Sequence, residues 1–150
     1  AKARNIGFTI DAEEADRLEI SLDLIEALAS APELAGWNGF GVAVQAYQKR
    51  ALPTLDWLAD LAHRAGRRLM VRLCKGAYWD TEIKSAQERE LRDYPVFTRK
   101  VNSDLSYLAC ARRLFADPAT RVARELQHAD LDNLTPLAAL DLLRKLKAEL

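Results

Sequence analysis

The sequence predicts an α/β fold built on parallel strands, a barrel fragment in character, followed by a helical tail. Three observations carry that expectation. Strand-like runs and helical runs alternate three times in succession, the strands are too apolar to leave one face in water, and no Gly-x-Gly-x-x-Gly string occurs. Periodicity alone does not separate a barrel from an open sheet. An open doubly wound sheet usually offers a glycine-rich phosphate loop early, and the nearest string here, Gly39-Phe40-Gly41, precedes a strand instead of following one.

The elements follow in order. Asn5 to Ile10 suits a strand, and from Ala12 to about Ser30 the positions Ala15, Leu18, Leu22, Ile25 and Leu28 recur at three and four, the spacing of an amphipathic helix. Asp11 with Glu14 three residues on resembles a capping box, and Pro32 helps to close the element. Gly36 to Gly41 is turn-rich, Phe40 to Ala46 reads as a strand, and Pro53 opens a helix from Leu52 to about Arg64 that stops at Gly66. Arg68 to Cys74 is the third strand, Lys75-Gly76 a turn, and Trp79 to about Leu91 a charged helix. Tyr94 to Phe97 suits a short extended piece, and Asn102 to Phe115 a helix capped by Asn102 or Ser103. Beyond Asp117-Pro118 the alternation stops: Arg121 to Gln127 is helical, His128 to Asn133 is a polar break, and Thr135-Pro136 opens a last helix, Leu137 to Leu150, with Leu140, Leu143 and Leu146 on one face. The expected division is therefore an α/β part, 1–117, and a helical tail, 118–150.

Composition narrows the functional classes. Hydrophobic residues make up 49% and charged residues 29%, the balance of a globular domain. Basic and acidic residues number 22 each, so no net field draws the molecule to nucleic acid or to an anionic membrane. No apolar run approaches the roughly 18 to 20 residues that span a bilayer, and Ala1-Lys2-Ala3-Arg4 leads into no signal-peptide core. A cytoplasmic location is the default. Cys74 and Cys110 lie far apart, outside any zinc-binding spacing, and read as buried reduced thiols; His63 and His128 are isolated in helical stretches, so no metal site is expected.

In a parallel α/β fold, chemistry gathers where strands end and the next loops begin. Those ends offer Asp11, then Gln45 with Tyr47 and Gln48, then Arg72 with Lys75-Gly76-Ala77-Tyr78-Trp79. A carboxylate, an amide, two cations and two aromatics suit a planar, phosphate-bearing cofactor. Asp11 could equally be a helix cap, Gln45 could satisfy nearby backbone, and Tyr78 and Trp79 could be packing aromatics. Arg72 carries the strongest signal, because a guanidinium in an apolar strand costs several kcal/mol unless it is paired or faces a polar site.

The strings also have a family resemblance. Asn5 to Leu18, Gly39 to Arg50 with its Ala46-Tyr47-Gln48-Lys49-Arg50, Val71 to Asp80, and Tyr94-Pro95-Val96-Phe97-Thr98-Arg99-Lys100 resemble, in that order, the proline dehydrogenase domain of bifunctional bacterial proline utilisation proteins. The resemblance implies part of a distorted (β/α)8 TIM-type barrel, three to four β/α units of it, that binds FAD, oxidises L-proline to 1-pyrroline-5-carboxylate and passes electrons to a membrane quinone, the parent enzyme sitting peripherally at the inner membrane. By that resemblance Asp11 looks like an acidic residue near the substrate, Arg72 like the arginine beside the reactive flavin nitrogen, and Tyr78 like a residue shaping the site. Gln45, Cys74, Lys75, Gly76, Ala77 and Trp79 look like flavin contacts, and Thr98 and Lys100 like contacts to the ribityl or adenine part. Cys74 stands where the family more often has valine. The family's early strand with its lysine, its Thr-His-Asn strand and its paired arginines have no counterpart here, so an incomplete catalyst is expected.

Asp130 to Leu140, running into Leu143 to Lys147, is similar to the C-terminal self-association segment of mismatch-repair MutS proteins. That likeness implies a second reading, a non-catalytic α/β fragment or chimera whose last helix drives homo-oligomerisation.

Overall fold

A computed structural model describes residues 1–116 and 135–148. The expected break and helix at 121–133 lie outside the described residues. The chain divides into two compact units, Ala1–Ala111 and Arg112–Leu150.

The first unit is built on three parallel strands in the order β1 (Phe8–Ile10), β2 (Phe40–Gln45), β3 (Met70–Cys74). Between them run helix α1 (Leu18–Ser30) and helix α2 (Ala51–Arg64), and α3 (Trp79–Glu88) follows β3. This is the βαβαβα order that parallel pairing requires, since each return crossing needs a helix-length connection. Helix α4 (Lys100–Phe115) runs across the boundary between the units, and α5 (Pro136–Ala148) is the described helix of the second unit.

Alternation along β2 sorts its side chains onto two faces. Phe40, Val42 and Val44 form one, at 1%, 1% and 5% exposed, and they share the core with Ile25 and Ala29 of α1 and Leu55, Leu58 and Leu61 of α2. Burying each such leucine or isoleucine contributes about 1.5–3 kcal/mol. Ion pairs at the rim join the two helices, Arg50 to Glu19 at 2.6 Å and Arg64 to Glu26 at 2.7 Å. The opposite face carries Gly41, Ala43 and Gln45, which the register sets beside Met70, Arg72 and Cys74 of β3.

Several boundaries differ from the sequence expectation. The first strand starts at Phe8, because Asn5 turns into the left-handed region at φ 50° after a 3-10 turn. The α-helix expected from Ala12 starts at Leu18, behind a 3-10 turn at Ala15–Arg17, and the Asp11–Glu14 capping box does not form, because the Asp11 carboxylate is engaged elsewhere. Helix α4 begins at Lys100, ahead of both expected caps. The expectation that every strand is covered on both faces is also corrected. Residues of β1 and β3 are half or fully exposed, Phe8 at 51% and Met70 at 44%, because among the described residues each pairs with β2 alone.

Candidate functional site

The C-terminal ends of the three strands bring the candidate residues to one rim. Arg72 lies in β3 opposite Ala43, and Asp11 directly follows β1, whose last residue, Ile10, pairs with Val42, the neighbour of Ala43. Two strand spacings separate them, about 9–10 Å. The small side chain of Ala43 lets the long guanidinium reach across β2, and Arg72 Nη2 donates to Asp11 Oδ1. Asp11 also accepts the Ala12 N–H at 2.9 Å. The Arg72 hydrogen bond first, and the Ala12 amide second, hold the Asp11 carboxyl below the usual carboxylate range.

Arg72 is thus paired but not buried, which corrects the burial argument made from its apolar strand: its side chain is 59% exposed and that of Asp11 is 71% exposed. The strand is an edge of the described sheet, and Met70 and Arg72, which share one of its faces, meet water.

Gln45, 3% exposed, lies between the loops that leave β1 and β3. Its Nε2 donates to the Glu13 carbonyl at 2.7 Å and its Oε1 accepts the Ala77 N–H at 2.9 Å. The backbone-satisfying reading of Gln45 therefore holds, while one N–H and one lone pair of the amide lie outside these two bonds. Cys74, expected buried, is half-buried; its thiol donates to the Val44 carbonyl at 3.4 Å, and burial pushes it up.

Past β3 the chain turns at Gly76, whose φ of 143° belongs to glycine, and a Cβ there would lie 2.4 Å from the Tyr47 ring. Tyr47 itself is 3% exposed, and burial first, then the Glu82 charge, push its phenol up to about 12. Tyr78 is half-buried at the start of α3, and Trp79 Nε1 donates to the Phe97 carbonyl at 2.9 Å. The extended piece expected at Tyr94 to Phe97 docks against the end of β2 through an antiparallel bridge of Gln48 with Val96, and Phe97 N–H donates to the Tyr47 carbonyl at 2.8 Å. Thr98 follows on the surface.

Two residues escaped the sequence reading. Asp104 on α4 accepts Lys75 Nζ at 2.6 Å and Lys100 Nζ at 2.5 Å, so one carboxylate joins two of the expected cofactor contacts. Lys100 first, then Lys75, lower its carboxyl. Glu82, 5% exposed, accepts the Ala15 N–H at 2.5 Å. Nothing in the spacing of a charged helix marks one glutamate as buried; only the fold does.

The rim carries a permanent cation, Arg72, paired with Asp11, and the Lys75 ammonium, paired with Asp104, beside the small residues Gly41 and Ala43 of β2. Such a donor set fits a flat, electron-rich ring carrying phosphate. Among the described residues no group of three histidines, cysteines or carboxylates could hold a metal ion, and no helix is long and apolar enough to cross a membrane.

Comparison with known proteins gives a consistent result. The family model for proline dehydrogenase matches residues 1–139. The chain is 64% identical over 118 residues to the bifunctional protein PutA of Salmonella typhimurium, covering 79% of this chain and 9% of that protein. It is 34% identical over 95 residues to a hydroxyproline dehydrogenase of Bos taurus, covering 62% of this chain and 21% of that one. Among solved structures, Bradyrhizobium japonicum proline utilization A aligns at a TM-score of 0.76 and 63% identity, over 77% of this chain and 12% of that one. The Bdellovibrio bacteriovorus protein, solved after inactivation by N-propargylglycine, aligns at 0.73 and 32% identity, over 76% and 12%. The chain thus spans about a tenth of the length of its bifunctional relatives. The likeness of residues 130–147 to MutS proteins gains no support, since the match to the proline dehydrogenase model runs on to residue 139, across half of that segment.

Proposed function

The chain belongs to the proline dehydrogenase family, and from that premise we propose that it supplies three to four β/α units of a (β/α)8 TIM-type, FAD-binding barrel that oxidises L-proline. The observation that carries the reading is the Arg72–Asp11 pair spanning Ala43 at the C-terminal rim of the sheet, where barrel chemistry is done. FAD, when bound, supplies the two-electron acceptor for conversion of L-proline to 1-pyrroline-5-carboxylate.

The chain's own groups have separable tasks in this reading. Arg72 stays charged at any physiological pH and donates to an electron-rich ring atom, with Asp11 fixing its direction and facing the substrate. Gln45 sets the loops after β1 and β3 at a constant separation and offers its remaining N–H to the ring. Lys75 exchanges its Asp104 partner for phosphate, with the backbone around Gly76 beside it; Ala77, whose N–H is held by Gln45, lines the segment next to the cofactor, and Lys100 contacts the ribityl or adenine part. Tyr78 shapes the pocket, Trp79 and Cys74 line the segment beside the cofactor, and Thr98 contacts its ribityl or adenine part. A membrane quinone as electron acceptor, and peripheral attachment at a membrane, belong to the parent enzyme.

A second reading, self-association through the last helix, is favoured by Leu137, Leu140 and Leu143 of α5, exposed at 67%, 44% and 58%. One preparation tests both. With FAD added to the purified chain, the flavin spectrum is expected to stay unbleached by L-proline, since the described residues supply only three strands and the chain spans about a tenth of its bifunctional relatives. Bleaching would overturn the claim that the segment is an incomplete catalyst. An unchanged oligomeric state, read from the mass in solution after deletion of residues 130–150, would exclude the last helix as an assembly element.

A further inference from the structure

We infer that Glu82 is a positioning residue whose buried carboxylate latches the loop carrying Asp11 onto helix α3. The loop leaves β1 at Asp11 and enters its 3-10 turn at Ala15. Between those points it is held twice by side chains from distant parts of the chain: Gln45 takes the Glu13 carbonyl at 2.7 Å, and Glu82 takes the Ala15 N–H at 2.5 Å. Gln45 also holds Ala77, and Glu82 lies in the first turn of α3, so the two bonds tie the loop after β1 to the loop and helix after β3. A short segment that leaves a strand at one end and is pinned at its middle and its far end has few conformations left, and that restriction keeps the Asp11 carboxylate in reach of Arg72.

The surroundings of Glu82 say that the latch is held against resistance. Burial pushes its carboxyl up, and the nearby Asp16 and Glu14 carboxylates push it the same way, while the Ala15 amide opposes them. Tyr47 is a further titratable neighbour, its phenol raised in part by the Glu82 charge. A cleft of about 410 Å³, lined by Glu14, Asp16, Arg17, Ser85 and Arg89 beside Glu82, brings solvent up to this junction. An apolar side chain would fill the same space at less desolvation cost, and what the carboxylate adds is the bond to the Ala15 N–H. The catalytic use of the latch rests on the flavin reading, but the latch itself does not.

The test reads Asp11 in the flavin-free chain. Carboxyl carbon NMR titration of Asp11 is compared in the wild type, Glu82→Ala, Glu82→Gln and Ala15→Pro. Proline at residue 15 removes the donor N–H from the other side, and it suits the first position of a 3-10 turn preceded by Glu14 in extended conformation, φ −63° and ψ 155°. The expected result is that the Asp11 midpoint rises toward the ordinary carboxylate value in Glu82→Ala and Ala15→Pro and stays depressed in Glu82→Gln, whose amide oxygen keeps the acceptor. If Glu82→Ala does not fold, Ala15→Pro reads the same bond. An Asp11 midpoint unmoved in Ala15→Pro, or moved equally by Glu82→Gln and Glu82→Ala, would overturn the inference. Neither outcome bears on whether the chain binds flavin, which the FAD spectrum reads separately.

Discussion

Asp11 and Arg72 illustrate how a residue can be singled out for one physical reason and matter for another. Arg72 stood out because a guanidinium in an apolar strand needs a partner, and it has one, yet the strand is open to water and burial is not what demands the pair. Register explains it: Arg72 pairs with the small Ala43 of β2, and Asp11 leaves β1 one residue past the Ile10–Val42 pair, so the two come together across β2. Strand alternation in the sequence puts Arg72 and Cys74 on one face, but which strand neighbours which is not written there. Asp104 and Glu82 were illegible for the same reason, since their roles depend on partners 29 and 67 residues away. The pair makes a pH prediction. The Asp11 carboxyl is lowered in the folded chain, so its contribution to stability is present above the unfolded value and is lost as pH falls through the folded one. Urea unfolding of the wild type and Asp11→Asn should therefore differ at neutral pH, with the gap closing from about pH 4 downward. A gap independent of pH would mean that the ion pair contributes nothing.

At the scale of elements, the helices and strands were largely legible and their first turns were not. Helix α2 lies within a residue of its expected span, because Leu55, Leu58 and Leu61 repeat on one face and the chain turns at Gly66 with φ 60°. The start of α1 was misplaced by six residues because Asp11 and Glu14 look like a cap, while the Asp11 carboxylate is drawn to a strand that lies sixty residues on. The loop after β3 was located correctly, but its glycine has a reason that sequence does not carry: besides its φ of 143°, Gly76 lies against the face of Tyr47. Gly76→Ala should thus destabilise the first unit by about 1–3 kcal/mol, from backbone strain together with a Cβ 2.4 Å from the ring. Denaturant midpoints would measure it. Gly36 is a control, since it also has positive φ, at 72°, but a Cβ there meets nothing within 4 Å. Equal losses at both positions would remove the Tyr47 contact from the explanation.

At the scale of the molecule, the three parallel strands of the described residues match part of a larger barrel domain in the solved relatives. Phe8 and Met70 are exposed on the outer strands, and the outward edges of β1 and β3 pair with nothing among the described residues. The parallel α/β class could be read from alternation alone. Its closure into a barrel could not, because closure depends on strands beyond the three described, and the match covers 12% of the Bradyrhizobium protein. The central claim is that residues 1–116 carry the part of a proline-oxidising barrel where Arg72 and Asp11 meet a flavin. The direct measurement is to graft those residues into the Salmonella relative in place of the segment they match, and to record the visible flavin spectrum before and after L-proline. The claim predicts a yellow protein that L-proline bleaches, and loss of bleaching when Arg72→Ala is added. A folded graft that purifies colourless, or one whose bleaching is indifferent to Arg72→Ala, would contradict it.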